Sequence, residues 1–238
     1  MDRQLQGLSG CCPVSSLRRK FDTFRKEPLS LWYRWVTKRS ERQLRKRGYL
    51  DFLAHRPSEA LPPRFADLWF LYQTVRHRKP RYILEFGSGC STVILAQALW
   101  DNQRKSPTKK CDGFLYSVEA DPYWADVTAK SVPAHLRGLC EVRYSPLLEV
   151  EYMKTPAFQH AEIPNIAPDF VYLDGPCLTR ERQVAVDVLN MEGRFPPGFC
   201  MVVDGRWINA MFLRQHLKRQ YVFKPKWLFG QSIFELVV

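Results

Sequence analysis

Apolar and polar positions change rhythm at Pro80. Upstream, Phe65, Leu68, Trp69, Tyr72 and Val75 stand at i, i+3, i+4, i+7 and i+10, which lays one apolar stripe along a helix. Before that stripe, residues 14–53 mix Arg and Lys with Leu29, Leu31, Trp32, Trp35, Val36, Leu44, Leu50 and Leu53. The pattern is helical but imperfectly amphipathic, and Pro28 and Gly48 divide it into two short helices. Residues 1–13 read as a disordered tip. Residues 56–63, stiffened by Pro57, Pro62 and Pro63, read as a linker.

Downstream of Pro80, short apolar runs alternate with helix-period stretches. The runs predict strands at 81–86, 114–119, 141–144, 170–173, 199–203, 221–229 and 232–238, with helices at 92–99, 122–131, 180–191 and 209–219. Alternation of this kind implies a mostly parallel sheet covered by helices on both faces. The last two strands are joined only by Gly230 and Gln231, too short for a crossover, so they form an antiparallel hairpin. Residues 101–112, rich in Lys, Ser, Pro and Thr, read as a solvated loop. Residues 151–168 read as a loop, holding His160, that precedes the fourth strand and covers the acceptor.

Composition adds bounds. A chain of 238 residues, 45% apolar and 25% charged, buries a full core. Its apolar runs are far shorter than the ~20 residues that span a bilayer. Leu8-Ser9-Gly10-Cys11 has the shape of a lipoprotein cleavage box, but the residues before it lack the apolar stretch that export requires. The seven cysteines are odd in number and scattered, with no CxxC pair, which argues against a zinc site or a disulfide framework and fits a reducing cytoplasm. The net charge of +12 sits mainly in one place: residues 14–56 hold 13 Lys and Arg against 4 Asp and Glu. The chain therefore divides into a basic helical extension, 1–56, and a ligand-binding domain, 57–238. The extension suits an anionic membrane surface, with Trp32, Tyr33 and Trp35 among its cations, and suits nucleic acid less well.

The chemistry begins at Tyr82-Ile-Leu-Glu85-Phe-Gly87-Ser88-Gly89-Cys-Ser91-Thr92, a strand that breaks into two glycines and then a helix. Unpaired N–H groups and the helix dipole make such a corner a ligand site. A nicotinamide dinucleotide wants a third glycine where Thr92 stands, and an acid two residues before the first glycine sits badly beside two phosphates. Glu85 suits the cationic aminoacyl end of S-adenosyl-L-methionine instead. In Tyr116-Ser-Val-Glu119-Ala120-Asp121-Pro122, Glu119 ends a strand where a carboxylate can accept both ribose hydroxyls, and Asp121 caps the next helix. Phe170-Val-Tyr-Leu-Asp174-Gly-Pro and Met201-Val-Val-Asp204-Gly205-Arg206 place two aspartates at the carboxyl ends of parallel strands, where the ligand crevice of an open α/β sheet lies.

Taken together, EFGSGCST, SVEADPYWA, VYLDGP and VVDGR resemble the class I S-adenosylmethionine-dependent methyltransferases, and most a bacterial, catechol-methyltransferase-like subgroup, methyltransferase domain 24. The resemblance covers about residues 65–238. It implies a Rossmann-like seven-stranded sheet in the order 3-2-1-4-5-7-6 with the last strand antiparallel. It further implies that Glu85, Gly87, Gly89 and Glu119 bind the donor and that Asp174 stands beside the transferred methyl. The full expected donor set adds Ser88, Ser91, Thr92, Ala120 and Ser145, the last where many members hold an acid near the adenine. Asp174 and Asp204 are the catalytic pair, with Asp174 as base. Metal-dependent relatives carry Asp and then Asp-Asn; here Asp204-Gly205 lacks the Asn, so no metal is expected. The implied activity is O-methylation of a small molecule or glycan, with Arg180, Arg182 or Arg206 placed to hold an anionic acceptor; RNA methylation is the alternative, without an NPPY-like tetrad to support it.

Overall fold

The computed structural model describes residues 28–105, 113–176, 184–226 and 229–237. Its helices are α1 (Pro28–Arg45), α2 (Phe65–Arg78), α3 (Cys90–Lys105), α4 (Pro122–Ser131), α5 (Asp187–Met191) and α6 (Trp207–His216). The strands are β1 (Tyr82–Phe86), β2 (Phe114–Glu119), β3 (Cys140–Tyr144), β4 (Leu147–Tyr152), β5 (Thr155–His160), β6 (Phe170–Leu173), β7 (Val184–Ala185), β8 (Cys200–Asp204), β9 (Tyr221–Lys226) and β10 (Gln231–Leu236). Seven of these form one sheet in the order β3-β2-β1-β6-β8-β10-β9. Numbered among themselves, they run 3-2-1-4-5-7-6, and β10 is antiparallel to both its neighbours. This is the expected Rossmann-like α/β architecture.

Helices explain why the central strands are apolar on both faces. On one face Ile83, Phe170, Tyr172, Cys200, Val202 and Ile233 pack with Leu68, Leu71 and Val75 of α2 and Ile94, Leu95 and Leu99 of α3. On the other, Leu84, Phe86, Val171, Leu173, Met201, Val203 and Phe234 pack with Val188 and Met191 of α5 and Ala210 and Leu213 of α6. One of the two sheet edges is β9, whose half-buried and exposed residues alternate and which carries Lys224, Pro225 and Lys226. Charge and proline on an edge discourage pairing with another chain.

Four local expectations are corrected. Among the described residues, 28–53 hold one α-helix and a 3-10 turn, Asp51–His55, because Pro28 stands in the first turn of α1, where its missing N–H costs nothing. The loop expected at 101–112 loses its first five residues to α3, which runs on to Lys105, and the Asp101 carboxylate accepts from the Tyr49 and Tyr72 hydroxyls; residues 106–112 lie outside the described residues. The helix expected at 180–191 is only α5, since Val184 and Ala185 form β7; residues 177–183 lie outside the described residues, Arg180 and Arg182 among them. The loop expected at 151–168 is mostly sheet: β4 and β5 form a hairpin, extended by β7.

Candidate functional site

The strand ends gather the site on one rim. β1 delivers Glu85 and then Gly87 (φ +88°) and Gly89 (φ +151°), after which α3 begins. A Cβ on Gly87 would fall 2.7 Å from the backbone nitrogen of Gly175, and one on Gly175 would fall 2.5 Å from the Gly87 Cα. The ends of β1 and β6 thus touch backbone to backbone, with room for glycine alone. The Asp174 N–H donates to the Phe86 carbonyl at 3.0 Å across the same junction.

Glu85 lies fully buried beneath this corner. The Thr92 hydroxyl donates to its Oε2 at 2.6 Å and accepts from the Gly89 N–H at 3.0 Å, so Thr92 fastens the helix start to the acid. Glu85 Oε1 has no hydrogen-bond partner within bonding geometry. Burial pushes the Glu85 carboxyl up to about 7; the hydroxyls of Ser91, Thr92 and Ser117 pull it back, and the charge of Asp174 adds to the rise.

Glu119 closes the other side of the corner. Its Oε2 accepts from both the N–H and the hydroxyl of Ser88, at 2.8 and 2.9 Å, and its Oε1 accepts from the Asp121 N–H at 3.1 Å. Oε2 is thereby filled, and Oε1 keeps one further lone pair. Ala120 follows at the half-buried end of β2. Ser145 sits behind Glu119: its N–H donates to the Glu119 carbonyl at 2.8 Å, and its buried hydroxyl accepts from the Glu162 N–H at 2.9 Å.

Asp174 and Asp204 end adjacent parallel strands, one position beyond the Leu173–Val203 pair. Asp174 is exposed; Asp204 is buried. Arg64, just before α2, ties this acid pair to the rest of the fold. Its Nε lies 2.7 Å from Asp67 Oδ2, its Nη1 3.6 Å from Asp204 Oδ2, and its Nη2 donates to the Phe229 carbonyl at 2.9 Å. Burial raises the Asp204 carboxyl well above its usual range, with Asp174 and Asp67 adding to the rise against Arg64 and a hydrogen bond from Tyr172. Asp204 Oδ1 and both polar atoms of Gln231 are buried without hydrogen-bond partners. A buried polar atom left unpaired costs ~1–3 kcal/mol.

The expected residues therefore divide. Glu85, Gly87, Ser88, Gly89, Ser91, Thr92 and Glu119 meet at one corner, with Asp174 and Asp204 on the strands beside it. His160 is not on a lid. It ends β5, its ring stacked on Phe86 with centroids 5.3 Å apart and its Nδ1 3.2 Å from Asp187 Oδ2. Arg206 directs its Nε to the Asp174 carbonyl at 3.2 Å. Arg64, Asp67, Tyr172 and Gln231 were not anticipated. Arg64 and Asp67, three apart at a helix start, and Gln231, polar at the head of an apolar strand, are the signals that mark them.

Comparison with known proteins adds similarity of shape at low identity. No protein-family model matches the sequence, and no curated protein matches it. Among solved structures, the chain is similar to an O-methyltransferase from Bacillus cereus in complex with SAH, at 18% identity over 80% of this chain and 90% of that one, TM-score 0.48. It is similar to the O-methyltransferase TomG from Streptomyces achromogenes in complex with SAM, at 15% identity over 85% and 89%, TM-score 0.46. A third is the SAH-bound methyltransferase PaMTH1 from Podospora anserina, at 14% identity over 97% and 100%, TM-score 0.49. The architecture rests on the strand order itself rather than on these values.

Proposed function

We propose that this chain is an S-adenosyl-L-methionine-dependent methyltransferase acting on an oxygen of a small molecule or glycan. The observation that carries the reading is the corner itself: Gly87 in backbone contact with Gly175 at the end of β6, over a buried carboxyl with one unpaired oxygen. These residues fit a cationic nucleoside. Glu85 places a carboxyl with one unpaired oxygen beneath the corner to attract an ammonium group, the helix start of α3 adds partial positive charge, and Glu119 Oε1 retains one lone pair for a ribose hydroxyl. An adjoining pair of phosphates would add negative charge beside Glu85 and Asp174. When bound, the donor supplies a methyl group on a positively charged sulfur.

The chain's own part is positioning and proton removal. Asp174, exposed at the end of β6 beside Gly87, accepts the proton of the acceptor hydroxyl as the bond to the methyl carbon forms. Asp204, one strand over and held by Arg64, orients the acceptor. The guanidinium supplies positive charge beside Asp204, and Gly205 brings no side-chain oxygen, which supports transfer without a metal.

Asp174→Asn preserves shape and removes the base. Methyl transfer from labelled donor should fall by at least roughly tenfold, the floor of what a general base contributes, while calorimetric affinity for S-adenosylhomocysteine stays within twofold. Full activity in the Asn variant would reduce Asp174 to a turn residue.

A second reading, compatible with the first, concerns α1. Leu31, Trp32 and Trp35 are 67%, 43% and 55% exposed, and Arg34, Lys38, Arg39 and Arg42 are exposed around them. Apolar anchors ringed by cations favour an anionic membrane surface as the partner of this segment.

A further inference from the structure

Beside Arg64 the rim holds a polar side chain that makes no hydrogen bond within the fold. Gln231 opens β10 as the register partner of Asp204 across the antiparallel β8–β10 pair, so both side chains stand on the sheet face that α2 covers. Gln231 is 2% exposed, and neither Oε1 nor Nε2 has a partner; Oδ1 of Asp204 is in the same condition. Arg64 is already shared among Asp67, Asp204 and the Phe229 carbonyl. The Phe229 ring lies 6.1 Å from that of Trp32 and 6.4 Å from that of Tyr33, so α1 reaches over this end of the rim.

We propose that Gln231 and Asp204 form an acceptor subsite that takes an uncharged, hydroxyl-bearing ligand. A carboxamide offers both donors and an acceptor, and a hydroxyl answers both kinds. An anion would meet the carboxyls of Asp67, Asp174 and Asp204, with the Arg64 guanidinium already engaged and that of Arg206 turned to the Asp174 carbonyl. A neutral hydroxyl fills the unpaired positions and adds no charge. That the ligand is the methyl acceptor rests on the methyltransferase reading; the subsite itself does not.

The test uses the whole chain, labelled with 15N. The Gln231 side-chain amide signals are those missing from Gln231→Met. Propane-1,2-diol, lactate and 1-amino-2-propanol share a three-carbon frame and differ in charge, and each is titrated separately. The diol should move the Gln231 amide pair saturably, lactate should leave it in place, and the amino alcohol should move it less than the diol. Equal or larger movement with lactate or the amino alcohol, or none with any probe, overturns the proposal. Gln231→Met should melt at the parent's temperature or above, since no internal bond is lost. A fall of several degrees would mark the amide as structural and overturn the subsite. If S-adenosylhomocysteine binds neither protein while the diol still moves the amide, the donor reading fails and the subsite stands.

Discussion

Glu85 and Asp204 carry a cost that depends on pH. Both are buried carboxyls whose affinity for a proton is higher in the folded chain than in the unfolded one, Glu85 rising from 4.5 to about 7. A carboxyl raised on folding stabilises the protein below its unfolded value, and that contribution is lost as pH climbs through the folded value. The melting temperature of the ligand-free protein should therefore decline between pH 4.5 and about 7, and the Glu85→Gln variant should decline less. Glu59 and Glu235, held below their usual value by hydrogen bonds from Tyr123 and Lys224, act with the opposite sign and below that window. A calorimetric profile that rises or stays flat would contradict the burial assigned to Glu85. At this scale the sequence exposed what depends on near neighbours: Glu85, Gly87, Gly89 and Thr92 belong to one turn, and their spacing announces it. Arg64 and Gln231 left only faint local marks, because what they face, Asp204 and Phe229, is set by strand register and by contacts across more than a hundred residues.

Elements were legible wherever a local stop or start is written. α4 has the expected bounds, because Asp121 Oδ1 accepts from the Tyr123 N–H at 2.8 Å and Pro122 begins the helix. The β4–β5 hairpin was hidden for an equally local reason. Its two-residue turn places Met153 at φ +49° and Lys154 at φ +64°, positions that Asn and Gly normally advertise. The helix α1 shows its meaning only in the structure, where Ser40 and Leu44 are buried, Leu31 and Trp35 turn outward, and Trp32 stands half-exposed against the Phe229 ring. Vesicles containing anionic phosphatidylglycerol should sediment the protein, neutral phosphatidylcholine vesicles should not, and ~1 M salt, with a screening length of about 3 Å, should release it. Equal sedimentation with both lipids would refute the membrane reading of α1, and salt-sensitive retention on structured RNA in its place would turn that face toward nucleic acid.

For the molecule as a whole, sheet order and site follow from one another. The order of the seven strands brings β1, β6 and β8 side by side, and their carboxyl ends supply Glu85, Asp174 and Asp204 to one rim. Alternating strands and helices in the sequence were enough to expect such a rim, since ligands of open α/β sheets lie outside the strand ends. What the sequence did not reveal is how the N-terminal segment joins it: Leu44, Leu50 and Phe52 are buried with α2, and Tyr33 faces Phe229. No helix among the described residues is long and apolar enough to cross a membrane. The central claim is that the glycine corner holds a cationic methyl donor. It is tested most directly by thermal shift of the intact protein with S-adenosylmethionine, S-adenosylhomocysteine, NAD and NADP, each supplied at high concentration. A ligand at about 100 times its dissociation constant adds ~2.7 kcal/mol to stability. The account predicts a rise in melting temperature with the two adenosyl compounds and none with the dinucleotides; a rise with NAD or NADP alone would contradict it.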